Sequence, residues 1–74
     1  MTSFGQCLKD IRVKRGLSQK ELAKMSGVSS FMISWYERGH GEPQIVSLVC
    51  LADALKVTTD SLLGREVKYD KRRN

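Results

Sequence analysis

The sequence predicts an all-α fold, and three observations carry that prediction. Apolar residues recur at helical spacing in successive short segments, serine or threonine capping signals open most of those segments, and a glycine closes four of the five. No stretch alternates apolar and polar residues as a half-buried strand would. A chain of 74 residues, with 41% hydrophobic and 28% charged residues and a single proline, is globular in composition. Its length admits one domain, because a chain this short buries only about 60% of the surface its unfolded form exposes. The expected division is a domain over residues 1–64 followed by a basic tail over 65–74.

The first helix opens at Ser3, where Ser3 and Gln6 have the spacing of a capping box. Phe4, Cys7, Leu8 and Ile11 then form one apolar stripe, and Gly16 supplies the left-handed stop. Ser18 and Glu21 form a second capping box, with Leu17 and Leu22 as its hydrophobic staple, so Gln19 to Ser26 reads as helix two, closed by Gly27. Two residues later Ser29 caps helix three, stapled by Val28 and Ile33, running to about Arg38 and stopping at Gly39. His40, Gly41, Glu42 and Pro43 read as a loop.

Helix four is expected from Gln44 to Lys56. Ile45, Leu48, Leu51, Ala52 and Leu55 share a stripe that Val46, Val49 and Cys50 widen. Val57, Thr58 and Leu62 repeat the staple and cap, giving a short fifth helix from Thr59 to Leu63 that ends at Gly64. Residues 65–74 carry Arg65, Lys68, Lys71, Arg72 and Arg73 with little apolar content.

Several function classes are excluded by what the chain lacks. No run of about 18 apolar residues or signal-peptide pattern occurs, so neither a membrane partner nor secretion is expected and the cytoplasm is the expected location. Two cysteines and one histidine cannot form a disulfide framework or a four-ligand metal site, so no metal or cofactor is expected. One histidine in a glycine loop leaves nothing to activate a nucleophile, so neither a catalytic residue nor a small-molecule substrate is evident. Cys7 and Cys50 read as reduced core thiols.

Two short helices joined by a tight glycine turn, the second opening on a serine cap, form a helix-turn-helix, whose second helix can enter a DNA major groove. The segments Leu17-Ser18-Gln19-Lys20-Glu21-Leu22-Ala23, Ser26-Gly27-Val28-Ser29 and Ile33-Ser34-Trp35-Tyr36-Glu37-Arg38-Gly39, with Pro43 and then Leu51-Ala52-Asp53-Ala54-Leu55, closely resemble the Cro/repressor (Xre) family. The resemblance spans Phe4 to Leu63. It implies a compact five-helix lambda-repressor-like domain that binds double-stranded operator DNA, usually as a homodimer, and regulates transcription, most often as a repressor.

The resemblance also implies roles for particular residues. Gln19, at the first position of helix two, is expected to meet a phosphate and support the next helix, and Ser30, Phe31, Ser34 and Trp35 match the family's base-reading positions. With Ser29 these lie opposite Ile33 and Tyr36, whose spacing suits the core. Family members commonly carry Arg, Gln, Asn or Lys there, and this helix offers neither a guanidinium for guanine nor an amide for adenine. The expected readout is therefore serine hydroxyls plus Phe31 on a thymine methyl, assisted by DNA shape. The competing reading packs Phe31 or Trp35 against protein. Arg12 and Glu37 match positions that form an internal ion pair. Arg38 and His40 stand where the recognition helix exits, expected to meet phosphates, with an exposed loop as the alternative.

The usual dimer contact in the family implicates Thr58, Asp60 and Ser61, and the surplus apolar residues Val46 and Cys50 suggest an addition to it. The alternative covers Val46 and Cys50 with the tail through Val67 and Tyr69. A second function class, a protein-interaction module on the same scaffold, antitoxin-like or coactivator-like, would use Phe31, Met32 and Trp35 against protein.

The formal net charge of +5 is unevenly placed. Helix one, with Lys9, Arg12, Lys14 and Arg15 against Asp10, and the tail are basic, whereas residues 17–43 are neutral overall. Sequence-independent attraction to a polyanion is expected from helix one and the tail, and selectivity from the uncharged face of helix three.

Overall fold

The computed structural model describes residues 3–64; the readings made for residues 65–74 lie outside the described residues. Five helices follow in order: α1 (Phe4–Lys14), α2 (Gln19–Ser26), α3 (Ser30–Glu37), α4 (Ile45–Leu55) and α5 (Thr59–Leu62). No strand occurs among the described residues.

Local chemistry sets nearly every boundary. Ser3, Ser18, Ser29 and Thr58 each adopt extended backbone, and their hydroxyls accept the amide of the third helical residue. At α2 the box is complete, since the Glu21 carboxylate also accepts from the Ser18 amide at 2.8 Å. At α1 it is only half formed, contrary to the spacing of Ser3 and Gln6. Gln6 donates instead to Asp10 at 2.9 Å, a contact one helical turn along the exposed face.

Helices α1 and α3 end alike. Leu17 N–H returns to the Arg12 carbonyl and His40 N–H to the Trp35 carbonyl, with Gly16 and Gly39 at φ of 72° and 80°. The same return closes α4 from Val57 N–H to the Ala52 carbonyl, but there Lys56 takes the left-handed position, φ 57°.

The core is one cluster: Phe4, Leu8, Leu22, Ile33, Tyr36, Leu51, Ala52, Leu55 and Leu62. Helix α1 packs on α3 and α5, α2 on α3 and α4, and α4 on α5. The Phe4 ring meets Tyr36 edge-on at 5.5 Å. Ile45 departs from its expected place on the buried stripe of α4 and is 80% exposed. The buried residues of α4, Leu51, Ala52 and Leu55, lie in its second half, with Leu48 partly buried ahead of them, and helical phase alone could not cover Ile45 at its start. Cys7 and Cys50 are half-buried free thiols rather than members of the buried core.

Candidate nucleic-acid interface

Gly27, with φ of 78°, turns α2 into α3 within three residues, and Val28 packs inward while Ser29 caps the new helix. Ile33 and Tyr36 anchor α3 in the core. Its opposite face is thereby fixed outward. Phe31 is 68% exposed on that face, Ser30 and Ser34 are half-buried, and Ser29 at the cap is exposed. Exposure of Phe31 removes one of the two positions at which packing against protein competed with an outward face.

Trp35 behaves differently. It is half-buried and packs against the core, with its ring edge-on to Tyr36 at 5.9 Å and tilted against His40 at 6.3 Å. His40 and Arg38 are exposed, and Arg38 Nε reaches the Ser34 carbonyl at 3.4 Å.

The base of the interface is a polar junction among three helices. Arg12 Nε donates to Glu37 at 2.7 Å and Arg12 Nη2 to its other oxygen at 2.9 Å, a two-pronged ion pair joining α1 to the end of α3. Arg12 Nη1 also donates to the Leu17 carbonyl at 2.7 Å. The bonded carboxylate holds the Arg12 guanidinium above its ordinary range, outweighing the opposing effect of burial. Gln19 Nε2 donates to Glu37 at 3.1 Å and so ties the start of α2 to the same carboxylate. An amide nitrogen carries two hydrogens, so a second donor remains on Gln19 for a ligand at the start of α2. The link from Gln19 to Glu37 carries no local sequence signal, since 18 residues separate the two.

Ser26, Gly27, Val28, Ser29, Met32 and Trp35 line one side of a groove of about 540 Å³, with Glu42, Gln44, Val46 and Cys50 among the residues opposite. Val46 and Cys50 therefore look toward α3 and the turn before it. Thr58, Asp60 and Ser61 sit at α5, with Thr58 and Ser61 exposed and their hydroxyls 3.0 Å apart. Among the described residues no group of three or more His, Cys, Asp or Glu is placed to hold a metal ion, and no helix is long and apolar enough to cross a membrane.

Comparison with known proteins places this geometry. The transcriptional regulator ImmR of Bacillus subtilis (strain 168) is 38% identical over 64 residues, covering 86% of this chain and 50% of ImmR. The chain spans between about a third and two thirds of the length of the first curated relatives it matches. Among solved structures, the P22 c2 repressor in complex with a synthetic operator superposes with a TM-score of 0.82 at 35% identity, covering 89% of this chain and all of that one. The biofilm regulator SinR in complex with DNA gives 0.78 at 34% identity, covering 81% of this chain and 97% of its own. The family model described as HTH_3, helix-turn-helix, matches residues 8–62. With that match lying across all five helices, the chain belongs to the HTH_3 family of Cro/C1-type helix-turn-helix proteins.

Proposed function

We propose that the chain is a sequence-specific DNA-binding transcriptional regulator, acting as a repressor in the cytoplasm by occupying an operator, with no catalytic activity of its own. The observation that carries this reading is the outward face of α3, where Ser30, Phe31 and Ser34 lie on a helix anchored from behind by Ile33 and Tyr36. Its support from relatives is that P22 c2 and SinR, both of this fold, were solved on DNA.

Gln19, Ser29, Arg38 and His40 surround that face as phosphate contacts, while Ser30 and Ser34 hydroxyls and the Phe31 ring read base edges. Phe31 carries the methyl-reading role because no charged or amide side chain on the face competes for it. Selection of bound sequences from random DNA gives the operator. Binding must then fall steeply as salt rises, as neutralised phosphates require. A nearly salt-independent affinity for a protein partner would instead favour the interaction-module reading. Replacing thymine by uracil in the operator weakens the unaltered protein more than Phe31→Ala; equal sensitivity would end the methyl reading.

The active unit is a homodimer joined through α5 around Thr58, Asp60 and Ser61, with Val46 and Cys50, on the side of α4 that faces the groove, a separate addition, and each α3 enters a half-site about 34 Å from the other. Sedimentation of a strict monomer at high concentration, with and without operator, would overturn the dimer.

A further inference from the structure

We propose that Trp35 is a positioning residue for DNA binding rather than a base reader: it fixes the path of residues 39–41 and so the placement of His40 against the DNA backbone. The inference rests on the DNA-binding reading above and changes the role given to one residue within it.

Trp35 holds the loop at two places. Its ring lies 6.3 Å from that of His40, the planes 33° apart. Gly41 then passes directly against the far edge of the indole, where a Cβ on Gly41 would overlap the ring atoms Cη2 and Cζ3. Gly39 needs glycine for its positive φ, whereas Gly41 has no positive φ and needs it for room. Trp35 also lines the groove on whose walls Glu42 and Gln44 lie.

A ring engaged this way has little left for base edges. Indole offers one N–H donor and no acceptor, and Phe31, one turn earlier, already supplies an exposed apolar contact. Loss of a positioning residue displaces backbone contacts and weakens all sequences alike, whereas loss of a base reader relaxes one position of the site.

The test compares Trp35→Ala, Trp35→Phe, Gly41→Ala and the Trp35→Ala/Gly41→Ala pair with the unaltered full chain, all confirmed folded by their melting transitions. Binding is measured to the selected operator, to each of its single-base variants and to unrelated DNA. Trp35→Ala and Gly41→Ala should each weaken all these DNAs by a similar factor, on the order of tenfold, leaving base preference unchanged. Trp35→Phe should recover only a small part of the loss, because the shorter ring lacks the Cη2–Cζ3 edge that meets Gly41. In the pair, Gly41→Ala should add nothing, since the ring it collides with is gone. Altered preference at one base pair on Trp35→Ala, or additive losses in the pair, would overturn the inference while leaving the DNA-binding reading intact. Absence of salt-dependent DNA binding by the unaltered protein would remove both.

Discussion

Glu37 is the residue on which most depends, because its side chain is only 4% exposed and three donors from two elements converge on it: Nε and Nη2 of Arg12, and Nε2 of Gln19. A paired buried charge adds little over an apolar substitute, but an orphaned one is costly. Glu37→Ala leaves Arg12 without its partner and should lower stability by on the order of 3 to 5 kcal/mol, read from urea or thermal unfolding. An unchanged melt would mean that the pair contributes nothing to the fold. Gln19 supports the next helix, as the family resemblance implies, through its bond to Glu37 at the end of α3. Its place at the start of α2 suggests a ligand contact, yet one of its donors already belongs to the protein.

Glu21 gives a second test at the same scale. The Ser18 amide and hydroxyl hold its carboxylate below the ordinary glutamate range, the backbone bond contributing most. A lowered folded-state pKa means that the unfolded chain takes up the proton first. The contribution is therefore present above the ordinary glutamate pKa and lost as pH falls through the lower folded value. Glu21→Gln should flatten the acid side of the stability profile between those limits and leave its neutral side little changed in slope. A mutant profile parallel to that of the unaltered protein would remove this role.

Among the elements, α1 carries a constraint that its apolar stripe does not express. Gly5 sits inside the helix, where glycine costs about 1 kcal/mol relative to alanine, so its presence there needs a packing reason. The structure supplies one: a Cβ at Gly5 would overlap the Tyr36 carbonyl at the end of α3. Gly5→Ala should destabilise by about 1 to 3 kcal/mol despite the better helix propensity, because two backbones would have to separate. A more stable variant by denaturant titration would refute the close approach. The caps were legible because they are local: a hydroxyl reaches an amide three residues away whatever the remainder of the chain does. Ile45 was not, since spacing gives the phase of a helix but not where along its length a neighbour covers it. The half-formed box at Ser3 has the same cause at shorter range, with Asp10 within reach of the Gln6 amide group.

For the whole molecule, stability is concentrated in few side chains. Among the described residues Leu8, Leu22, Ile33, Leu51, Leu55 and Leu62 are the largest fully buried side chains. Leu51→Ala should cost about 2 to 5 kcal/mol, a large share of what a domain this small possesses, and a calorimetric scan should show the transition displaced far downward. Survival of the original transition would place the core elsewhere. Charge is distributed on a different plan from stability. Residues 17–43, neutral overall, contain the whole helix-turn-helix, so the net positive charge of the chain lies outside that motif.

By itself the sequence determined the five helices, the turn at Gly27, the inward anchors Ile33 and Tyr36 and the family, because these follow from signals a few residues apart or from a pattern read along the chain. Tertiary structure decided the rest. It placed Gln19 on Glu37, set Gly5 against Tyr36, left Ile45 uncovered, and turned Trp35 onto Gly41 while Phe31 stayed free. Each of those outcomes depends on how two elements meet, and helical spacing fixes the direction of a side chain without fixing what arrives to contact it.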